Sequence, residues 1–178
     1  MLSKEQINAF WDNIFHREDD PSKRDILNIL AHIPLFSKLS RGELKKVAKI
    51  IHERHYAAGE SLFRMGEPGA AMFIVKAGQV DIVMPKEDSN GLILASLGPG
   101  SFLGELALLD DSPRSASAVA PKDTVAMAFF RADLNKLIET EAHIGSKILK
   151  ELALIIGQRL KLTNEQLYST PKPAASGS

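Results

Sequence analysis

The chain has 178 residues, 44% of them hydrophobic, with lysine plus arginine balanced at 22 each against aspartate plus glutamate and no cysteine. This is enough for one ordinary globular core; it excludes disulfide staples and thiol chemistry and agrees with a reducing cytoplasm. Zero formal charge leaves no counterion-release footprint for nucleic acid, and apolar runs break well short of the ~20 residues of a bilayer crossing.

In chain order, Ser3 and Gln6 read as a capping box opening a helix whose Ile7, Phe10, Trp11 and Ile14 share one face. The run Arg17-Glu18-Asp19-Asp20-Pro21 ends it. A second helix is expected from Ser22 with Ile26, Ile29, Leu30 and Ile33 on its apolar stripe, stopping at Pro34, and a third from Ser40 to about Ile51. From Tyr56 the texture turns to short apolar runs, SLFRM, AMFIVK, QVDIVM, LILASL, SASAVA and TVAMAFF. They are separated by turn residues at Gly66-Glu67-Pro68-Gly69, Ala77-Gly78, Ser89-Asn90-Gly91 and Gly98-Pro99-Gly100. Such spacing predicts an antiparallel β-barrel or jelly roll. From Ala132 the period is helical again, with a short helix to Thr140 and a long one from about His143 to Tyr168. The fold class is therefore α+β: a barrel flanked by N-terminal helices and a long C-terminal helix. Residues 1–34 are read as a helical extension, 35–168 as the main domain and 169–178, rich in Ser, Pro, Ala and Gly, as a disordered tail.

The long helix carries two apolar registers, Leu149-Leu152-Ile156-Leu160-Thr163-Leu167 and Ile148-Ile155-Leu162. One face would cover the barrel and the other a partner, most simply the same helix of a second copy. Gly157 is unfavourable in mid-helix by about 0.5–1 kcal/mol, which predicts a close backbone approach there. Phe10, Trp11 and Phe15 make the N-terminal helix a candidate surface for another protein, with docking on its own barrel as the alternative.

The chemistry concentrates in Phe102 to Val119, FLGELALLDDSPRSASAV. Gly104 permits close backbone approach, and Glu105-Leu106-Ala107-Leu108 is long enough for one helical turn whose free N–H groups favour an anion. Arg114 supplies a planar counter-charge suited to phosphate oxygens, and Ser115 and Ala116 add N–H groups and a hydroxyl. Glu105 beside an anion needs a donor of its own, such as a ribose hydroxyl. His16, His32, His52, His55 and His143 form no metal-ligating set, and no nucleophile stands with a base and an orienting group, so neither a metal site nor an enzyme is expected.

This segment resembles the phosphate-binding cassette of cyclic-nucleotide-binding domains, in its Gly104-Glu105-Leu106-Ala107-Leu108 and its Pro113-Arg114-Ser115-Ala116-Ser117. Leu103 between Phe102 and Gly104 resembles the catabolite activator branch of that family. The likeness extends to residues 33–48 and 59–83, and about residues 30 to 168 in all. It implies a binding regulator whose ligand is cyclic AMP or, because a hydroxyl follows the arginine at Ser115, cyclic GMP. Gly104, Leu106, Ala107, Arg114, Ser115 and Ala116 would line the cyclic phosphate, Glu105 would take the ribose 2′-hydroxyl, and Ile82 and Leu94 would form apolar walls. Arg159-Leu160-Lys161-Leu162-Thr163-Asn164-Glu165 resembles the stretch from which catabolite activators contact adenine, implying base contacts from Thr163 and Asn164 and a homodimer through the long helix. Catabolite activators read DNA through a winged helix beyond this point. Only about ten residues follow Tyr168 here, so no DNA partner is expected. The competing reading is a scaffold that keeps the fold but answers to no nucleotide.

Overall fold

The computed structural model describes residues 26–86 and 89–169. The helix expected to open at Ser3 and end at Arg17 to Pro21, the expected start of the second helix at Ser22 and the segment after Ser169 lie outside the described residues. Among the described residues, four α-helices flank eight strands: α1 (Ile26–His32), α2 (Arg41–Ala48), β1 (Ile51–Tyr56), β2 (Ser61–Phe63), β3 (Ala71–Ala77), β4 (Val80–Lys86), β5 (Ser89–Leu97), β6 (Phe102–Leu103), β7 (Ser117–Val119), β8 (Thr124–Phe130), α3 (Arg131–Thr140) and α4 (Ala142–Ser169). Short 3-10 turns occupy Pro34–Phe36 and Glu105–Leu108.

The strands form two antiparallel four-stranded sheets, ordered β1-β8-β3-β6 and β2-β7-β4-β5. β3 and β8 are the pivot, in register from Ala71 opposite Phe130 to Ile74 opposite Met127. Alternation along a strand sends successive side chains to opposite faces, and here each face meets a different core. Met72, Ile74, Met127 and Phe129 pack with Leu30, Ile33, Phe36, Leu134, Ile144 and Ile148 of the helical layer. Ala71, Phe73, Val75, Ala126 and Ala128 face the barrel interior with Val80, Leu103 and Ala118. Large residues thus fill the helical side, and alanines dominate the inside of the barrel.

Two parts of the sequence reading are corrected. The third helix begins where expected, with Ser40 as N-cap and Glu43 completing a capping box, but it ends at Ala48, and Ile51 opens a strand. β1 escaped notice because HERH shows no apolar alternation; only Ile51 in it is buried, the strand pairs with β8 alone, and the register with that apolar neighbour places it. Tertiary pairing overrides composition in such edge strands. The two-residue β6 was equally invisible.

The long helix follows neither apolar register along its whole length. Leu152 of one register and Ile148 and Ile155 of the other are buried, together with Ile144, which belongs to neither; Leu149 and Ile156 flank them, while Leu160 and Leu162 are each 59% exposed. Among the described residues Gly157 makes no close approach, since a Cβ there would meet nothing within 4 Å.

Candidate functional site

The cassette hangs between β6 and β7. Gly104 turns the chain at φ +71°, in the left-handed region that glycine tolerates best, and a Cβ there would stand 2.5 Å from Arg114 Nη1. Close approach of arginine and backbone is therefore the reason for glycine. The turn Glu105–Leu108 follows, with Glu105, Ala107 and Leu108 buried and Leu106 exposed. Asp110 receives the N–H of Ser112 at 3.1 Å and so steadies the exposed bend before Pro113.

Arg114 lies half-buried across the mouth of this turn. Its Nη1 donates to the Gly104 carbonyl at 3.2 Å and its Nη2 to the Ala71 carbonyl at 2.6 Å, and its guanidinium carbon sits 4.1 Å from the centre of the Phe63 ring. Its Nε is buried without a hydrogen-bond partner, and among the described residues it forms no ion pair. Asp110 and Asp111, the nearest carboxylates in sequence, therefore do not hold it. Burial pushes its pKa below the ordinary arginine value, opposed by the charges of Glu67 and Glu105. A guanidinium taken from water and left with carbonyls for company retains most of its capacity for an anion.

Glu105 is 5% exposed, and its Oε1 accepts a 2.5 Å hydrogen bond from Arg159 Nη1 of α4. Arg159 also lies 5.1 Å from the centre of the Phe102 ring. Sequence reasoning gave Arg159 no role. The available signal was its place four residues before Thr163, which puts both on the same side of a helix. One side chain therefore ties the long helix directly to the turn.

The remaining expected residues are spread more widely. Ala116 is buried beside the turn and Ser115 is exposed. Ile82 on β4 packs against the barrel interior, whereas Leu94, on the edge strand β5, is 50% exposed. Thr163 and Asn164 are exposed on α4, and the Thr163 hydroxyl donates to the Arg159 carbonyl at 2.9 Å. The structure thus brings Gly104, Glu105, Ala107 and Arg114 together. It leaves Leu94, Thr163 and Asn164 exposed to solvent.

Among the described residues no three or more His, Cys, Asp or Glu side chains gather as a metal site, and no helix is long and apolar enough to cross a membrane. His52 instead approaches Asp133 at 3.3 Å, and His55 approaches Glu53 at 3.5 Å.

Two antiparallel sheets flanked by a long helix, with a glycine-started turn against a half-buried arginine that has no carboxylate partner among the described residues, make a site suited to a small anion. Residues 53–141 match the cyclic nucleotide-binding domain model, and the chain belongs to that family. It is 36% identical over 157 residues to a putative potassium channel protein of Rhodopseudomonas palustris, covering 87% of this chain and 36% of that one. It is 34% identical over 134 residues to the cyclic AMP receptor protein of Thermus thermophilus, covering 75% of this chain and 60% of that one. The chain thus spans between a third and three-fifths of these relatives. Among solved structures, the catabolite activator protein of Thermus thermophilus superposes with a TM-score of 0.67 at 34% identity, covering 75% of this chain and 61% of that one. The N-terminal domain of a transcriptional regulator from Streptomyces coelicolor gives the same TM-score at 27% identity, covering 84% and 99%.

Proposed function

We propose that this chain is a cyclic-nucleotide sensor, with cyclic AMP the favoured ligand and cyclic GMP the alternative, and that residues 35–168 form the sensing unit. The observation that carries this reading is Arg114: a half-buried guanidinium with an unpartnered Nε, bonded to carbonyls and placed against a short helical turn. In this reading the cyclic phosphate is held by Arg114, by Ser115 and by backbone N–H groups at Ala107 and Ser115, the Ala107 N–H turning to it from the Gly104 carbonyl that it meets at 3.1 Å. Glu105 accepts the ribose 2′-hydroxyl, Ile82 and Leu94 wall the nucleotide, and Thr163 with Asn164 meets the base as α4 closes. The receptor named for cyclic AMP among the relatives supports the choice of ligand.

The Arg159–Glu105 contact supports a mechanism. A ribose hydroxyl arriving at Glu105 has to share that carboxylate with α4, so binding and helix position are linked. A ligand shifts the docked and undocked populations of the helix only by its differential affinity for them, and a hundredfold preference corresponds to about 2.7 kcal/mol. Leu154, Leu160 and Leu162, all more than half exposed, are the surface through which α4 would pair with a second copy in the cytoplasm.

Calorimetric titration with cyclic AMP and with cyclic GMP tests the reading, alongside Arg114→Ala. The variant is expected to lose roughly 2–5 kcal/mol of binding, because a buried phosphate loses its charge partner. An unchanged affinity ends the assignment of Arg114, and no heat with either nucleotide favours the scaffold instead.

A further inference from the structure

The phosphate turn is gripped by two arginines, and the second has no part in the site described so far. Arg131 opens α3 at the end of β8. Its Nη1 donates to two backbone carbonyls, Gly69 at 3.2 Å and Ala107 at 3.3 Å, and its backbone N–H donates to the Ala70 carbonyl at 2.9 Å. Arg114 makes the complementary contacts at the other end of the turn, with Gly104 and Ala71. The turn Glu105–Leu108 is therefore held at its N-cap by Arg114 and at Ala107 by Arg131, and both guanidinium groups fasten it to the same short segment, Gly69 to Ala71.

That segment is pressed tightly against the turn. A Cβ on Gly69 would stand 2.7 Å from the Ala107 Cβ, and the Gly69 N–H donates to the Ser112 carbonyl at 3.3 Å. A turn of four residues has few hydrogen bonds of its own; here Ala107 donates to Gly104 and Leu109 to Leu106. Its shape depends on what holds it from outside.

The two arginines have different prospects when an anion arrives. Arg114 has the unpartnered Nε, and it is the guanidinium that a phosphate would draw off its carbonyls. Its hold on Gly104 and Ala71 then weakens at the moment when the turn's N–H groups must be in place. We propose that Arg131 is a positioning residue of this site: it keeps the phosphate turn docked on Gly69–Ala71 while Arg114 turns to the ligand. This rests on the cyclic-nucleotide reading. Donors that are already fixed bind better than donors the ligand must order, so the benefit of Arg131 appears as affinity although it touches no ligand.

The test is Arg131→Gln in the full chain, measured by amide hydrogen exchange without ligand and by calorimetry with cyclic AMP. The expected result is faster exchange confined to residues 104–109, with binding weaker by about tenfold and a melting temperature close to that of the unaltered protein. Wild-type exchange at 104–109, or an affinity within about twofold of wild type, overturns the proposal. So does acceleration spread evenly over β3, β8 and α3, which marks a general structural role. If the unaltered protein gives no heat with cyclic AMP or cyclic GMP, the nucleotide reading fails. Exchange at 104–109 in the ligand-free variant then still decides whether Arg131 holds the turn. Should Arg131→Gln not fold, Arg131→Lys keeps the charge but shortens the reach, and the same local exchange is expected at smaller amplitude.

Discussion

The two halves of α4 are built on different principles. From Ala142 to Ile155 the helix is core: Ile144 and Ile148 are fully buried, Leu152 and Ile155 nearly so, and Lys147 donates to both oxygens of Glu43 at 2.7 and 2.9 Å, clamping α4 to α2. Beyond Gly157, Leu160 and Leu162 are exposed, and Arg159 reaches back to Glu105. Apolar burial holds the first half whatever is bound. In the second half, Arg159 meets the Glu105 carboxylate beside the candidate site, and a half-exposed partner makes such contacts weak. The helix is therefore anchored by apolar burial at one end and more lightly held at the other.

The largest effect is expected where the anchor is deepest. Ile148→Ala removes a fully buried side chain between α4 and the β3–β8 face, and should cost about 3–4 kcal/mol, lowering the melting temperature by roughly 10 °C. Thermal unfolding followed by circular dichroism measures it, and a shift of only a degree or two would show that the first half is not core. Acid should loosen the same half next. The Lys147 ammonium, together with the Ser40 backbone N–H, holds the Glu43 carboxyl down at about 2, against an ordinary value of 4.5. A carboxyl lowered on folding stabilises the protein fully above its unfolded value, and that contribution fades as pH falls from about 4.5 toward 2. Denaturant titrations across that range should show a smaller pH slope in Glu43→Gln than in the unaltered protein.

The outer half should respond more gently. Arg159→Gln removes the link to Glu105 and, for a half-exposed pair, should change global stability by no more than about 1 kcal/mol, while amide exchange rises from residue 156 outward. An equal rise in Ala142–Ile155 would erase the division drawn here. Smallest of all, Leu160→Ser lies on an exposed face and should leave monomer stability within about 0.5 kcal/mol. Sizing by light scattering then reports whether that leucine serves a second copy.

Legibility varied with how local the signal was. The cassette was readable because its glycine, acid and arginine lie within eleven residues and each has a backbone reason to be there. The start of α2 at Ser40 was readable, and the structure makes Ser40 its N-cap with Glu43 completing a capping box. β1 was not readable, since its side chains are mostly exposed and its strand character comes from β8. Arg159 was not readable as a partner of Glu105, because the two are 54 positions apart and a helix surface offers many arginines. The registers of α4 were seen, but not where burial stops.

What the amino-acid order determined alone is the inventory: alternating runs that make two-faced strands, a glycine that can turn left-handed, a short turn with free N–H groups, and an arginine a few residues on. These are local, because φ preferences, side-chain alternation and capping act over a handful of residues. Only the tertiary structure decided that the arginine would be half-buried without a carboxylate, that the acid would meet an arginine of the long helix, and that Arg131 would donate to the Gly69 and Ala107 carbonyls. Those outcomes depend on which distant segments share a space once the β3–β8 face is covered, and chain order carries no distances.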